Sequence, residues 1–359
     1  MNKIASLYWL IFLLSTGVSA QIPPGYYDPA NGKTGKALQQ ALHDIIQTNI
    51  SVNYNSLWTC FALTDKRPDN TVWDIYSDIP GVTPPYSYQF GIDQCGSAGA
   101  ASVEDVCYDR EHSWPKSWFG GEVYPMYSDL FIIYPTDSYV NTRRLNYPYG
   151  TVAESQWTSM NGSKLGTCTW TGYSGEVFEP IDAFKGDLAR SYFYMSVRYY
   201  HEDTGWPGSA MTAGSQLKTW GLAMLKYWNS LDPVSQKETD RNNAIYAIQG
   251  NRNPFIDHPE YVSIIWANGM GIKEDIQMDI RIFPNPAHDY CYLTLPRGFN
   301  HQTCNVNITA SSGVLVKITL LKEENRLLMD VHNLESGVYF ITLTGSGNSI
   351  SYHGKIVKD

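Results

Sequence analysis

Apolar and polar positions along this chain fall into an opening run and then segments of two different periods. "MNKIASLYWLIFLLSTGVSA" has a lysine near its start, an apolar run, and Val-Ser-Ala at its end. That layout predicts a secretory signal peptide over 1–20, cut after Ala20, since the run is short for a bilayer span. "QIPPGYYDPANGKTG" comes next as a Pro/Gly-rich entry loop. "GKALQQALHDIIQTN" then spaces its apolar residues as one face of a helix does. The same period returns in "EPIDAFKGDLARSYFYMSVRYY", with Pro180 near its start, in "GSQLKTWGLAMLKYWNSL" and in "DPVSQKETDRNNAIYAIQG", predicting three further helices. Residues 52–92, rich in Tyr, Thr, Val and turn residues, predict strands and loops.

Near residue 272 the texture changes. "YLTL", "NVNITA", "LVKITLL", "LLMDVHNL", "GVYFITLT" and "YHGKIVKD" alternate apolar with polar residues between turn residues. They predict a small all-β sandwich over 280–359, behind a linker at 271–279. The stretch 21–270 mixes helices with short strands, so the fold class is α+β with a β-sandwich appended. A length of 359 residues has room for both units.

A formal charge of -9 counts only weakly against a nucleic-acid partner, because a local basic cleft sets the binding field. The abundance of aromatics, 26 Tyr and 11 Trp, fits an exported protein. So do the six cysteines, none in a CxxC pair, which also makes a zinc knuckle improbable. Cys95 and Cys107 bracket "CGSAGAASVEDVC", and a disulfide there would rigidify the segment leading into Glu111 and His112. Cys291 and Cys304 are a second candidate pair.

That segment, "CYDREHSWPKSW", sets Glu111 beside His112. Neighbours on a strand point to opposite faces, so either the two serve two sides of one task or only one of them serves it. Further on, "DSYVNTRRLNYPYG" carries Asn141, Arg143, Arg144 and Asn146. Metal-assisted phosphodiester hydrolysis uses an imidazole as base, hard oxygen donors for a cation, and guanidinium forks for phosphate. Plainer roles exist for each: a surface carboxylate, a core histidine, a helix cap at Asn141 and a turn at Asn146. Arg110, Arg143, Lys185 and Arg190 are candidate substrate contacts, as are Asn251, Arg252 and Asn253 of "GNRNPFIDHP"; Asp257 reads as the cap of the next helix. Nothing matches HExxH, so a zinc peptidase has little support.

Two resemblances sharpen this. "IRIFPNPAHD", "LESGVYFITLTG" and the terminal "KIVKD" resemble the C-terminal sorting domain of type IX secretion cargo. That implies export through the periplasm to the medium or outer cell surface by that machinery, with no membrane insertion after signal removal. "DREHSWPKSW", "YPTDSYVNTRRLNYPYG", "FEPIDAFKGDLARSYFYM" and "IQGNRNPFIDHP" are similar, in order, to the endonuclease I family of ββα-metal (His-Me finger) nucleases. The resemblance implies His112 as general base and Glu111 and Asn141 as ligands of one divalent cation, Mg²⁺ first, with Ca²⁺ or Mn²⁺ as alternatives. Arg144 matches a family arginine that either contacts phosphate or ties the finger helix to a carboxylate. The implied activity is largely sequence-nonspecific cleavage of DNA, with RNA as a further substrate, by a monomer, leaving 5′-phosphates. One departure stands out: "DLFIIYP" has Phe131 and Ile132 where the family's "DLHxLxP" carries a histidine. That keeps open a non-catalytic surface binding protein on the same scaffold.

Overall fold

The computed structural model describes residues 22–96, 99–267, 282–294, 305–311, 314–323, 326–344 and 351–359. The signal peptide and linker expected from the sequence lie outside them. The chain divides into two compact units, Met1–Gly269 and Met270–Asp359.

In the first unit, α1 (Gly35–Ile46) buries Leu38, Ala41, Leu42 and Ile46, the spacing its sequence predicts. The strands expected within 52–92 are replaced by α2 (Leu57–Thr64) and irregular chain with isolated bridges. Leu57, Cys60, Phe61 and Thr64 are buried at helical spacing, and that packing overrides the strand-like composition. A finger comes next: β1 (Tyr108–His112) pairs antiparallel with β2 (Ile133–Asp137), which runs directly into α3 (Ser138–Arg144). Then come the sheet β3 (Val152–Thr158), β4 (Lys164–Cys168) and β5 (Glu176–Glu179), and α4 (Lys185–Arg198). A two-residue hairpin, β6 (Thr212–Ala213) and β7 (Gln216–Leu217), leads to α5 (Thr219–Leu231) and α6 (Gln236–Gln249). Short helices α7 (Pro254–Asp257) and α8 (Tyr261–Ile265) complete the unit. The three helices expected over 180–250 are thus present.

α4 is buried along its whole length, with α1, α5 and α7 packed on it. Its charged residues sit inside because they are paired. Arg190 meets Glu238 of α6 at 2.6 and 2.8 Å, and Lys185 meets Glu179 of β5 at 2.6 Å. Such pairs tie elements together at a desolvation cost that only complete pairing offsets. α6 starts with a full capping box, Ser235 and Glu238, and stops at Gly250, whose φ of 79° a residue with Cβ resists.

The second unit is the expected sandwich. One sheet orders β11 (Leu315–Val316), β10 (Asn305–Ala310), β14 (Gly337–Thr344) and β15 (Ser351–Lys358). The other orders β12 (Thr319–Glu323), β13 (Arg326–Asp330), β9 (Tyr290–Thr294) and β8 (Ile282–Phe283). Its core holds Leu293, Ile308, Leu327, Met329, Ile341 and Ile356. The Asn285 side chain fastens the Pro-Asn-Pro turn to β15, accepting from Val357 N at 2.8 Å and donating to Lys355 O at 2.7 Å. The Cys95–Cys107 disulfide forms. The Cys291–Cys304 pairing does not, because Cys291 is a free thiol in the sandwich core; Cys304 lies outside the described residues.

Candidate active site

The finger is held at its root. The disulfide ends one residue before β1. Asp137 caps α3 by accepting from Val140 N at 2.8 Å, and Asp74 accepts from Asp137 N at 2.7 Å. α3 packs on β1 and β2, which brings its inner face to Glu111.

Glu111 and His112 both lie buried in β1, at 3% and 7% exposure, and strand alternation sends them to opposite sides. Glu111 Oε1 accepts from Tyr76 Oη at 3.0 Å and meets Arg144 Nη1 at 3.0 Å. Among the described residues no hydrogen bond falls on Oε2. Burial pushes this carboxyl up to about 7, although Arg144 and Tyr76 pull it down. It is thus a carboxylate that one guanidinium does not fully compensate.

His112 Nε2 lies 3.1 Å from the carbonyl of Tyr127. A carbonyl only accepts, so Nε2 carries the proton and the neutral ring leaves a lone pair on Nδ1. The ring lies nearly parallel to those of Tyr127 and Tyr54, at 5.4 and 5.9 Å, with Phe119 tilted beside it at 6.2 Å. Burial pushes the imidazole down to about 4, against the pull of the Tyr127 carbonyl and helped by the charges of Lys116, Arg110 and Arg144. The ring is therefore uncharged at neutral pH.

Asn141 is half-buried on α3, one turn before Arg144, and therefore on the helix face that meets β1. Its side chain makes no hydrogen bond to the described residues. Glu111 and Asn141 are hard oxygen donors of the kind Mg²⁺, Ca²⁺ and Mn²⁺ accept. Among the described residues no group of three His, Cys, Asp or Glu side chains is placed to hold a metal. A cation here would rest on this amide–carboxylate pair, with water and substrate completing its shell.

Arg144 is fully buried and is a strut. Besides Glu111 it donates to His112 O at 2.9 Å, to Ser113 O and to Tyr192 Oη at 3.3 Å, with its guanidinium 4.6 Å from the Tyr149 ring centroid. Of the two roles open to it, tying the finger helix to a carboxylate is the one its contacts fit. Four other expected substrate contacts are also placed inside. Lys185 and Arg190 are committed to the ion pairs above. Arg252 meets Asp257 at 2.6 and 2.7 Å. Asn251 donates to Ile46 O at 3.2 Å and to Tyr194 Oη at 2.8 Å. These charges and amides are engaged inside the protein, and the donor left over, Arg252 Nη1, is itself buried. Asn253, likewise buried, caps α7, and Asp257 is the partner of Arg252 instead of a cap. Arg110 and Arg143 stay half-buried at the surface, and Asn146 is exposed in its turn. Phe131 is core, 4.6 Å from the Tyr194 ring, and is not among the rings around His112.

Sequence reasoning missed the tyrosines. Tyr76, Tyr149 and Tyr192 surround the Glu111–Arg144 pair, while Tyr194 and Tyr199 both donate to Asp129 at 2.8 Å. The high Tyr count was the available sign: a phenol packs like a core residue and still satisfies a buried acid.

A two-strand, one-helix finger that carries a neutral imidazole, an under-compensated carboxylate and an unengaged amide defines the ββα-finger class of nucleases. Residues 34–260 match Endonuclease I, and residues 281–359 match the secretion system C-terminal sorting domain. The chain belongs to the endonuclease I family. It is 36% identical over 248 residues to an extracellular ribonuclease of Bacillus amyloliquefaciens, covering 67% of this chain and 78% of the relative. An extracellular ribonuclease of Bacillus subtilis (strain 168) is 34% identical over 256 residues, covering 67% and 78%. A periplasmic deoxyribonuclease of Aeromonas hydrophila is 28% identical over 250 residues, covering 69% and 92%. The protein is a secreted member of this nuclease family with a sorting domain for export. Among its described residues no helix is long and apolar enough to cross a membrane.

Proposed function

We propose that this protein is a divalent-cation-dependent endonuclease that hydrolyses DNA, and RNA as a second substrate, with little regard for sequence. The observation that carries this is the Tyr127 carbonyl on His112 Nε2, which fixes the tautomer and leaves a lone pair on Nδ1. Nδ1 takes a proton from water as the oxygen attacks phosphorus in line. The P–O3′ bond breaks and the 3′ oxygen leaves as a hydroxyl after protonation by solvent, so the new end carries a 5′-phosphate. Glu111 and Asn141 would hold the cation, which supplies charge neutralisation on the phosphate and departing oxygens. Arg144 keeps Glu111 in place without touching substrate. Relatives named as a ribonuclease and as a deoxyribonuclease support breadth toward both polymers, and type IX machinery is the export partner.

Nicking of supercoiled plasmid across Mg²⁺, Ca²⁺, Mn²⁺ and chelator tests the reading. His112→Ala is expected to lose about a hundredfold to ten-thousandfold, with cation binding intact. Glu111→Ala and Asn141→Ala should lose activity in a way that added cation partly restores. If excess cation restores His112→Ala as well as Glu111→Ala, this division of labour is wrong.

A further inference from the structure

Arg110 stands two residues before His112 on β1, so the strand puts both on one face, about 6.6 Å apart along the chain. Glu111 points the other way. The guanidinium carbon of Arg110 lies 3.9 Å from the Tyr54 ring centroid and 4.4 Å from that of Trp58. Tyr54 stacks on Tyr127 at 4.1 Å, and Tyr127 supplies the carbonyl that fixes His112. A chain of contacts thus runs from Trp58 through Arg110, Tyr54 and Tyr127 to the imidazole.

The donors of Arg110 are largely unused. Nη1 donates to Tyr54 O at 3.1 Å. Nε is itself buried without a partner, so the donor left for a ligand is Nη2, which makes no hydrogen bond to the described residues. Asp109, its carboxylate neighbour, stands 3.9 Å from Nε, beyond hydrogen-bond length. This contrasts with Arg190 and Arg252, each held by an acid through two hydrogen bonds, and with Arg144, whose Nη1 and Nη2 are taken by Glu111 and backbone carbonyls. Lys116 brings a second positive charge over Tyr127, but its amine already meets Glu122 at 3.3 Å. Aromatic rings hold a guanidinium's position without consuming its in-plane N–H groups. A side chain ordered in advance loses little entropy when it binds, and a fork with free donors fits a phosphate.

We propose that Arg110 binds the backbone phosphate that flanks the scissile one, and that the aromatic chain of contacts sets the spacing between this anchor and His112. The ligand is a phosphodiester of a DNA or RNA strand, recognised without regard to base. The assignment rests on the hydrolytic reading above.

The test compares full-length wild type, Arg110→Gln and Arg110→Lys on a thymidine octanucleotide and on a dinucleoside monophosphate, which has no flanking phosphate. For Arg110→Gln, the KM on the octanucleotide should rise on the order of tenfold with kcat little changed, and the salt dependence of binding should become shallower by about one phosphate contact. The loss on the dinucleoside should be much smaller. Arg110→Lys should keep the salt slope, because the charge stays, and still raise KM, because the fork is lost; it decides the matter if Arg110→Gln does not fold. Unchanged KM and salt slope would overturn the proposal. So would equal losses on both substrates, which would put Arg110 on the scissile phosphate or behind His112. If wild type cleaves neither substrate, the hydrolytic reading falls instead, and fluorescence anisotropy with the octanucleotide still judges Arg110.

Discussion

Arg144 shows how one side chain can matter to a site without meeting the substrate. It is buried with Glu111, His112 O and Ser113 O as partners, so removing it strands a buried carboxylate. Arg144→Ala is expected to lower unfolding free energy by about 3–5 kcal/mol. Truncating Glu111 as well should recover part of that loss. Urea denaturation of the two single variants and the double variant measures it, and the salt dependence of DNA binding should not change. A variant as stable as wild type, with a shallower salt slope, would make Arg144 a phosphate contact after all. In the sequence Arg143 and Arg144 are adjacent guanidiniums that only the family resemblance tells apart. Burial separates them: one completes the carboxylate's shell, and the other lies over the Trp157 ring at 5.4 Å with no acid partner among the described residues.

At the scale of elements, the finger depends on a loop that lies far before it in sequence. Asp74 receives Tyr76 N and Asp137 N at 2.7 Å each, and so links the irregular chain after α2 to the start of α3. Burial, and then the neighbouring Asp137 carboxylate, push Asp74 up from 3.8 to about 8, against the pull of those two amides. A raised acid adds stability at low pH. Between 3.8 and about 8 the folded chain holds a proton that the unfolded chain has released, so stability falls as pH rises through that window. Asp74→Asn cannot titrate. It should be less stable than wild type at pH 5, since its Nδ2 faces an amide donor, and the gap should narrow toward pH 8. Denaturation curves at several pH values check this; a constant gap would mean that Asp74 is already ionised at pH 5. The loop's role was illegible in the sequence because its fixing bonds join residues far apart, and composition alone suggested strands there.

For the whole molecule, two compact units imply two separable tasks. Each residue proposed for the chemistry lies in the first unit. A fragment of residues 21–270 is therefore expected to fold and to keep plasmid-nicking activity, and exported protein should begin at Gln21. Circular dichroism with the plasmid assay tests the first expectation, and mass spectrometry of natural material tests the second. A folded but inactive fragment would show that the sandwich takes part in the site.

Local order and pairwise motifs were set by sequence alone. Periodicity marked α1, α4, α5 and α6 and the alternating strands of the tail, because both signals lie within a few residues. The bracketing of a short loop anticipated the Cys95–Cys107 bond. Adjacency of Glu111 and His112 anticipated their opposed directions, since strand geometry fixes that from two residues. Which cations stay available was decided only in three dimensions. Lys185, Arg190 and Arg252 looked as ready for phosphate as Arg110 did. The first three found acids within hydrogen-bond reach, Arg190 on the distant α6 and Lys185 and Arg252 a few residues away, and sank into the core, while Arg110 found the rings of Tyr54 and Trp58, with Asp109 only at 3.9 Å. A ring stabilises a guanidinium without neutralising it, and an acid neutralises it. That difference depends on partners brought together by folding, so it could not be read from the chain.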